Sequence, residues 1–146
     1  MKIFHKFQII AFTFVCIFLS SCSGDEGITD INNPELVTIA FFDALYNEKD
    51  IKKAALFCEP QLARIILHYR SANSVGRHLF NMSYDSIKIT LEGSGTKVRQ
   101  QFSKNAKITV YLDGLYNGER IKDIKRLALV QQDNKWIITK ILKDPF

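Results

Sequence analysis

Cysteine is scarce in this chain, with three in 146 residues, at positions 16, 22 and 58. No two form a C-x-x-C pair, and no H-E-x-x-H run or Cys/His cluster is present, which argues against a dedicated zinc site. Glycine and proline are few, and no internal repeat or low-complexity tract interrupts the chain. There is no glycine-rich phosphate loop and no nucleophile–base spacing. The apolar run Ile9–Leu19, broken only by Thr13, is about half the roughly 20 residues that a membrane-spanning helix takes. Metal, phosphate-loop and integral-membrane classes therefore have no sequence support.

What is present begins at that run. Lys2, His5 and Lys6 precede it and small residues follow it, the pattern of a secretory signal. At its end stands Leu19-Ser20-Ser21-Cys22, where hydrophobicity collapses into Ser23-Gly24-Asp25-Glu26. LSSC resembles the lipobox of bacterial lipoproteins, which implies that the Cys22 thiol is acylated and the chain cut just before it. Several acyl chains, at about 0.8 kcal/mol per buried methylene, would anchor it stably. Ser23 after the cysteine resembles outer-membrane sorting, and Asp25-Glu26 has some likeness to acidic surface-export tags. The resemblance implies a protein of the bacterial cell envelope, held by lipid in the outer membrane and facing the periplasm or displayed at the surface. The expected organisation is a signal over 1–21, a flexible tether over 22–33 and one domain over 34–146, long enough for a core of its own.

The remaining cysteines follow from this. Cys16 leaves with the signal and Cys22 carries lipid, so Cys58 has no intramolecular partner, although the compartment would permit a disulfide. Cys58 lies on the line Ile51, Ala54, Ala55, Cys58, one apolar helical face, and is expected to be core. The charge is uneven. Residues 22–59 are rich in Asp and Glu, whereas Lys97, Arg99, Lys104, Lys107, Lys122 and Lys125 form a basic stretch that could face a partner. Export excludes nucleic acid, leaving anionic head groups or an acidic protein. A solvated sheet face carries the same pattern, and charged residues normally sit there.

Helices come first. Asn33 can cap a helix that Pro34 and Glu35 suit at its positive end. Val37, Ala40, Phe41 and Ala44 share one face, while Ile39, Phe42 and Tyr46 make a second, which predicts a helix covered on two sides. Asp50 caps a short second helix, and Glu59-Pro60 starts a third that buries Leu62, Ile65, Ile66 and Tyr69 and exposes Arg64 and His68. Ser71–Ser74 reads as an interruption. From Tyr84 the period becomes two: Ile87, Ile89 and Leu91 alternate, Gly93-Ser94-Gly95 marks a bulge or turn before Lys97–Phe102, and Ile108, Val110 and Leu112 alternate again. Asp113-Gly114 and Asn117-Gly118 bound a loop, and Asp133-Asn134 turns the last two strands into a hairpin.

Three helices before an antiparallel meander predict an α+β domain. The opening P-E-L-V-x-x-A-F-F-D-A-L and the closing L-A-L-V-Q-Q-D-N-K-W-I-I resemble the nuclear-transport-factor-two-like, or cystatin-like, superfamily. That resemblance implies N-terminal helices on a curved antiparallel sheet, a cone-shaped cavity and a packed Trp136. Enzymes of that superfamily aim an Asp or His, often with a Tyr, into the cavity. Here the alternating strands offer only aliphatic inner positions, and Asp123 or Arg126 would face inward only through a bulge. Asp43 reads as a boundary charge and His68 as solvent-exposed. Phe41, Tyr46, Tyr69, His78 and Phe80 could line the cavity, and the aromatic members fit an ordinary core better, since aromatic stripes at helical spacing usually just pack. The expected function is a non-catalytic binding or assembly module, needing no cofactor or metal, for a protein, peptide or apolar ligand. An inhibitor or immunity-type lipoprotein, or a small cavity enzyme, is the alternative.

Overall fold

The computed structural model describes residues 31–92 and 103–144. Asn33 is extended, and its side-chain oxygen accepts from the Glu35 N–H at 2.9 Å, starting α1 (Pro34–Phe42). Instead of ending, α1 widens into a π-helical turn, Asp43–Asn47, in which the Glu48 N–H donates to the Asp43 carbonyl at 3.0 Å. That turn brings Ala44, Leu45 and Tyr46 to burial in succession. With Val37, Phe41 and Phe42 they make α1 a helix covered on two sides, as its two apolar stripes require. Asp50 Oδ1 accepts from the Lys52 and Lys53 N–H groups at 2.9 and 3.0 Å and caps α2 (Ile51–Leu56).

Glu59-Pro60 opens α3 (Pro60–His68), which buries Leu62 and Ile66. Ile65 is exposed, contrary to the periodic reading, because α3 packs on the domain along a narrow stripe. Ser71 does not interrupt the helical region. Its Oγ accepts from the Ser74 N–H at 3.2 Å and caps a fourth helix, α4 (Ala72–Leu79).

The strands β1 (Ser86–Leu91), β2 (Asn105–Tyr116), β3 (Glu119–Gln132) and β4 (Lys135–Leu142) form one antiparallel meander in sequence order. Gly93-Ser94-Gly95 and the strand expected over Lys97–Phe102 lie outside the described residues. Both later turns place two positive-φ residues between strands: Asn117 (50°) with Gly118 (81°), and Asp133 (46°) with Asn134 (65°). Such turns match the right-handed twist of the flanking strands. Gly114, expected to open a loop, lies inside β2. A Cβ there would come within 2.5 Å of the Tyr84 ring and 2.6 Å of the Ser86 carbonyl, so close packing rather than turning requires glycine.

Cross-strand partners share a face. Ile108↔Leu127, Val110↔Lys125, Leu112↔Asp123 and Gly114↔Ile121 therefore all point inward, toward the helices. Asp123 faces inward with no bulge, because the β2–β3 register runs unbroken from Asn105↔Val130 to Tyr116↔Glu119. Arg126, paired with Thr109, faces outward and donates to the Lys143 carbonyl at 2.9 Å.

Between sheet and helices lies an aromatic cluster: Phe41–Phe42, Phe42–Phe80 and Tyr46–Tyr84 stand at centroid distances of 5.2, 5.3 and 5.3 Å. The Tyr46 hydroxyl donates to the Met82 carbonyl at 2.9 Å. Both sheet edges carry covers, which blunts edge-to-edge pairing. On β1, the Asn47 side chain bonds both the N–H and the C=O of Ile87, at 2.9 and 3.1 Å. On β4, the Ile138 N–H donates to the Phe57 carbonyl and the Glu59 N–H to the Ile138 carbonyl, at 2.8 and 2.9 Å.

Candidate functional site

The inner space offers no site at the residues expected to line it. Phe41, Tyr46 and Phe80 are fully buried against one another, which makes them core. Tyr69 and His78 stack on each other at 5.2 Å, with Tyr69 half-buried against the edge of the core and His78 exposed. His68 is likewise exposed, and Asp43 is half-buried, accepting from Asn47 at 2.7 Å. The Tyr84 hydroxyl is buried with no hydrogen-bond partner among the described residues. Among the described residues no group of three or more His, Cys, Asp or Glu could hold a metal ion. No described helix is long and apolar enough to cross a membrane.

Lys125 corrects the basic stretch. It is 3% exposed and faces inward, where its Nζ contacts Asp144 Oδ2 at 2.7 Å and Asp123 Oδ2 at 2.9 Å. Burial pulls its ammonium down, but the bonds to Asp144 and Asp123 outweigh that and leave its pKa raised. Its ammonium is buried beneath two partly exposed carboxylates and is no part of a partner surface. Lys97, Arg99 and Cys22 lie outside the described residues.

Cys58 is buried, with Sγ 3.6 Å from the Ala54 carbonyl, and burial, with Glu59 adding, pushes its thiol from 9.0 up to about 12. A thiol so protonated is no nucleophile at neutral pH. The fold keeps a proton that the unfolded chain releases, so the Cys58 contribution is whole below pH 9 and is lost as pH rises toward 12. The decline should be about 1.4 kcal/mol per pH unit. Lys125 and the buried tyrosines, whose values are also raised, lose their contributions in the same direction at higher pH. Urea midpoints measured through the alkaline range check this: Cys58→Ala should remove the part of the decline that starts near pH 9.

The outer face of the sheet is different. Register places its side chains in rows across the strands: Asn105–Val130–Ile137, then Lys107–Ala128–Lys140, then Thr109–Arg126–Leu142. Toward the β2–β3 turn follow Thr90–Tyr111–Ile124, Lys88–Asp113–Lys122 and Ser86–Leu115–Arg120. Lys107 and Lys122 thus stand where the sequence pointed, and Lys104 is exposed just before β2. Arg120 and Arg126, within the basic Lys97–Arg126 stretch, join them, as do Lys88 and Lys140 from outside it. Their strand parity was the available signal, since each alternates with an inward aliphatic.

Among the described residues no element packs on this face, and Tyr111 and Leu115 are 40% and 45% exposed. Arg120 holds Asp113 through two bonds of 2.7 and 2.6 Å. That guanidinium, with Lys122 and Lys88 nearby, keeps the Asp113 carboxyl below its ordinary range. Tyr111 donates to Glu92 at 3.1 Å. Three surface hollows lie along the face: about 780 Å³ at Lys107–Ala128–Lys140, about 460 Å³ at Tyr111–Lys122–Ile124 and about 310 Å³ at Lys88–Leu115–Arg120. Chemically, such a surface offers cations set among aliphatic and aromatic groups. Comparison with family models, with curated proteins and with solved structures finds no match for this chain.

Proposed function

We propose that this chain is a lipid-anchored protein of the bacterial cell envelope, acylated at Cys22. Its domain, of the nuclear-transport-factor-two-like or cystatin-like class, is a non-catalytic binding module that grips an acidic envelope protein with the outer face of its sheet. The observation that carries this reading is the contrast between the two faces. The inner one is packed with Phe41, Phe42, Tyr46 and Phe80, all fully buried against one another. The outer one presents Lys88, Lys122 and Arg120 around Tyr111, Ile124 and Leu115. Aromatic and Arg residues are enriched at protein interfaces, and complementary charge speeds encounter. The anchor rests on the match of Leu19-Ser20-Ser21-Cys22 to the lipobox pattern.

Two arms test the reading. Cys22→Ala should leave a precursor that no longer incorporates labelled palmitate; undiminished labelling would end the lipoprotein reading. Co-purification from solubilised envelopes should retain the partner at low salt and release it at high salt. Retention that ignores both salt and Lys88→Gln/Lys122→Gln would contradict an electrostatic grip by this face.

A further inference from the structure

The tether joins the domain at one end of the sheet. The Trp136 N–H donates to the Ile31 carbonyl at 2.8 Å, and Asn134, in the β3–β4 turn, lies 3.4 Å from Asn32 through their side chains. From Cys22 to Ile31 the chain can extend no more than about 30 Å, at ~3.3–3.6 Å per residue. A lipid on Cys22 therefore keeps this end of the sheet, rather than the β2–β3 turn, on a short leash to the bilayer.

The hollow of about 780 Å³ opens on the outer face in the same half of the sheet, beginning at Asn105 and Val130 and reaching back to Leu142. Its floor is Ala128, with Lys107 beside it on β2 and Lys140 on β4. Neighbouring strands lie about 4.8 Å apart, so the two lysine backbones stand about 10 Å apart with only a methyl group between them. The β3–β4 register shifts between Ala128 and Leu129, making Thr139 the extra residue, and its hydroxyl donates to the Ala128 carbonyl at 3.2 Å. A bulge of this kind re-aims the side chains beside it. Lys107 and Lys140 are exposed and form no ion pair among the described residues. Val130 and Leu142, both half-buried, complete an aliphatic rim.

We infer that this hollow seats the phosphate of an anionic phospholipid in the membrane that holds the anchor. The domain then rests its tether end on the bilayer and turns the Tyr111–Ile124–Lys122 end outward, toward its protein partner. The inference depends on the lipid-anchored reading above. A bilayer is favoured over an acidic protein here because the leash holds it permanently near the two unpaired ammoniums, which raises its effective concentration. An aliphatic rim around two cations also suits a head group with its glycerol and first methylenes below it.

The only tryptophan, Trp136, sits at this end and reports docking without a label on the protein. The full lipidated chain is reconstituted in vesicles of phosphatidylcholine with or without phosphatidylglycerol, each carrying a trace of dansyl-labelled phosphatidylethanolamine. Energy transfer from Trp136 should rise with phosphatidylglycerol and fall back with salt. Lys107→Gln/Lys140→Gln should lower the docked-to-undocked ratio about thirtyfold, the equivalent of about 1 kcal/mol per lysine. Lys88→Gln/Lys122→Gln should leave it unchanged. Equal transfer in both vesicles, or a phosphatidylglycerol response that survives the Lys107/Lys140 change, overturns the inference. So does a double variant that loses the protein partner while its transfer stays intact, which would assign the hollow to protein. Palmitate labelling of each preparation reports separately on the anchor, so failure at Cys22 and failure at the hollow are distinguishable.

Discussion

Asp123→Ala together with Asp144→Ala is expected to destabilise the fold by about 3–5 kcal/mol, because it strands a buried ammonium without a counter-charge. Lys125 is held by these two carboxylates, at 2.9 and 2.7 Å, and its side chain is 4% exposed. The stranded lysine can escape only by losing its proton, which at neutral pH costs about 5 kcal/mol and so sets a ceiling on the damage. Lys125→Met should cost less than about 1.5 kcal/mol, since a similar volume is kept and the charge removed. It leaves Asp123 and Asp144, whose side chains are 28% and 38% exposed, free to hydrate. Urea unfolding of the three chains tests the asymmetry. Losses under about 1 kcal/mol from both the lysine and the double aspartate substitution would mean that the cluster is a surface ion pair, and an equally large loss from both would contradict the asymmetry.

Trp136→Ala is the second large effect, with an expected loss of about 3–5 kcal/mol from lost burial and the cavity left behind. Trp136 is 8% exposed on the inner side of β4, opposite Gln131, and its backbone N–H ties β4 to Ile31. A soluble form used for the measurement must therefore keep Ile31, which packs on the core from the tether side of the boundary expected at residue 34. A loss under about 1 kcal/mol would contradict the packing assigned to the closing hairpin.

Local chemistry explains which parts of the fold could be read beforehand. Asn33, Asp50 and Pro60 mark helix starts because each satisfies or omits backbone donors that nothing else would meet. Asp133-Asn134 announces a hairpin because few residues tolerate positive φ, whereas Asn117-Gly118, expected only to close a loop opened at Asp113, is itself the β2–β3 turn. Other features depend on partners distant in sequence. The π-helical turn at Asp43–Asn47 follows from the burial of three successive side chains, which an α-helical period cannot express. Helix α4 buries only Ala72, Val75 and Gly76, too few for a stripe, although its Ser71 cap was visible.

The inward phase of β3 was hidden because Ile121, Ile124, Leu127 and Val130 put apolar groups on both parities, and pairing with β2 decides it. Lys125 looked like surface because its two carboxylates sit beside it only after folding. The basic face was half legible: Lys107 and Lys122 emerged from the charge pattern, whereas the Lys107–Ala128–Lys140 row exists only once three strands are in register.

The claim that this protein works through the outer face of its sheet is tested most directly by site-specific photocrosslinking in intact cells. A photoreactive residue is placed at Tyr111, which faces outward, and in a second chain at Leu112, its buried neighbour on the same strand. The expected result is a discrete adduct with an envelope protein from position 111, lost at high salt in isolated envelopes, and none from position 112. Adducts from position 112 but none from 111 would mean that the partner reaches the interior, contradicting the account.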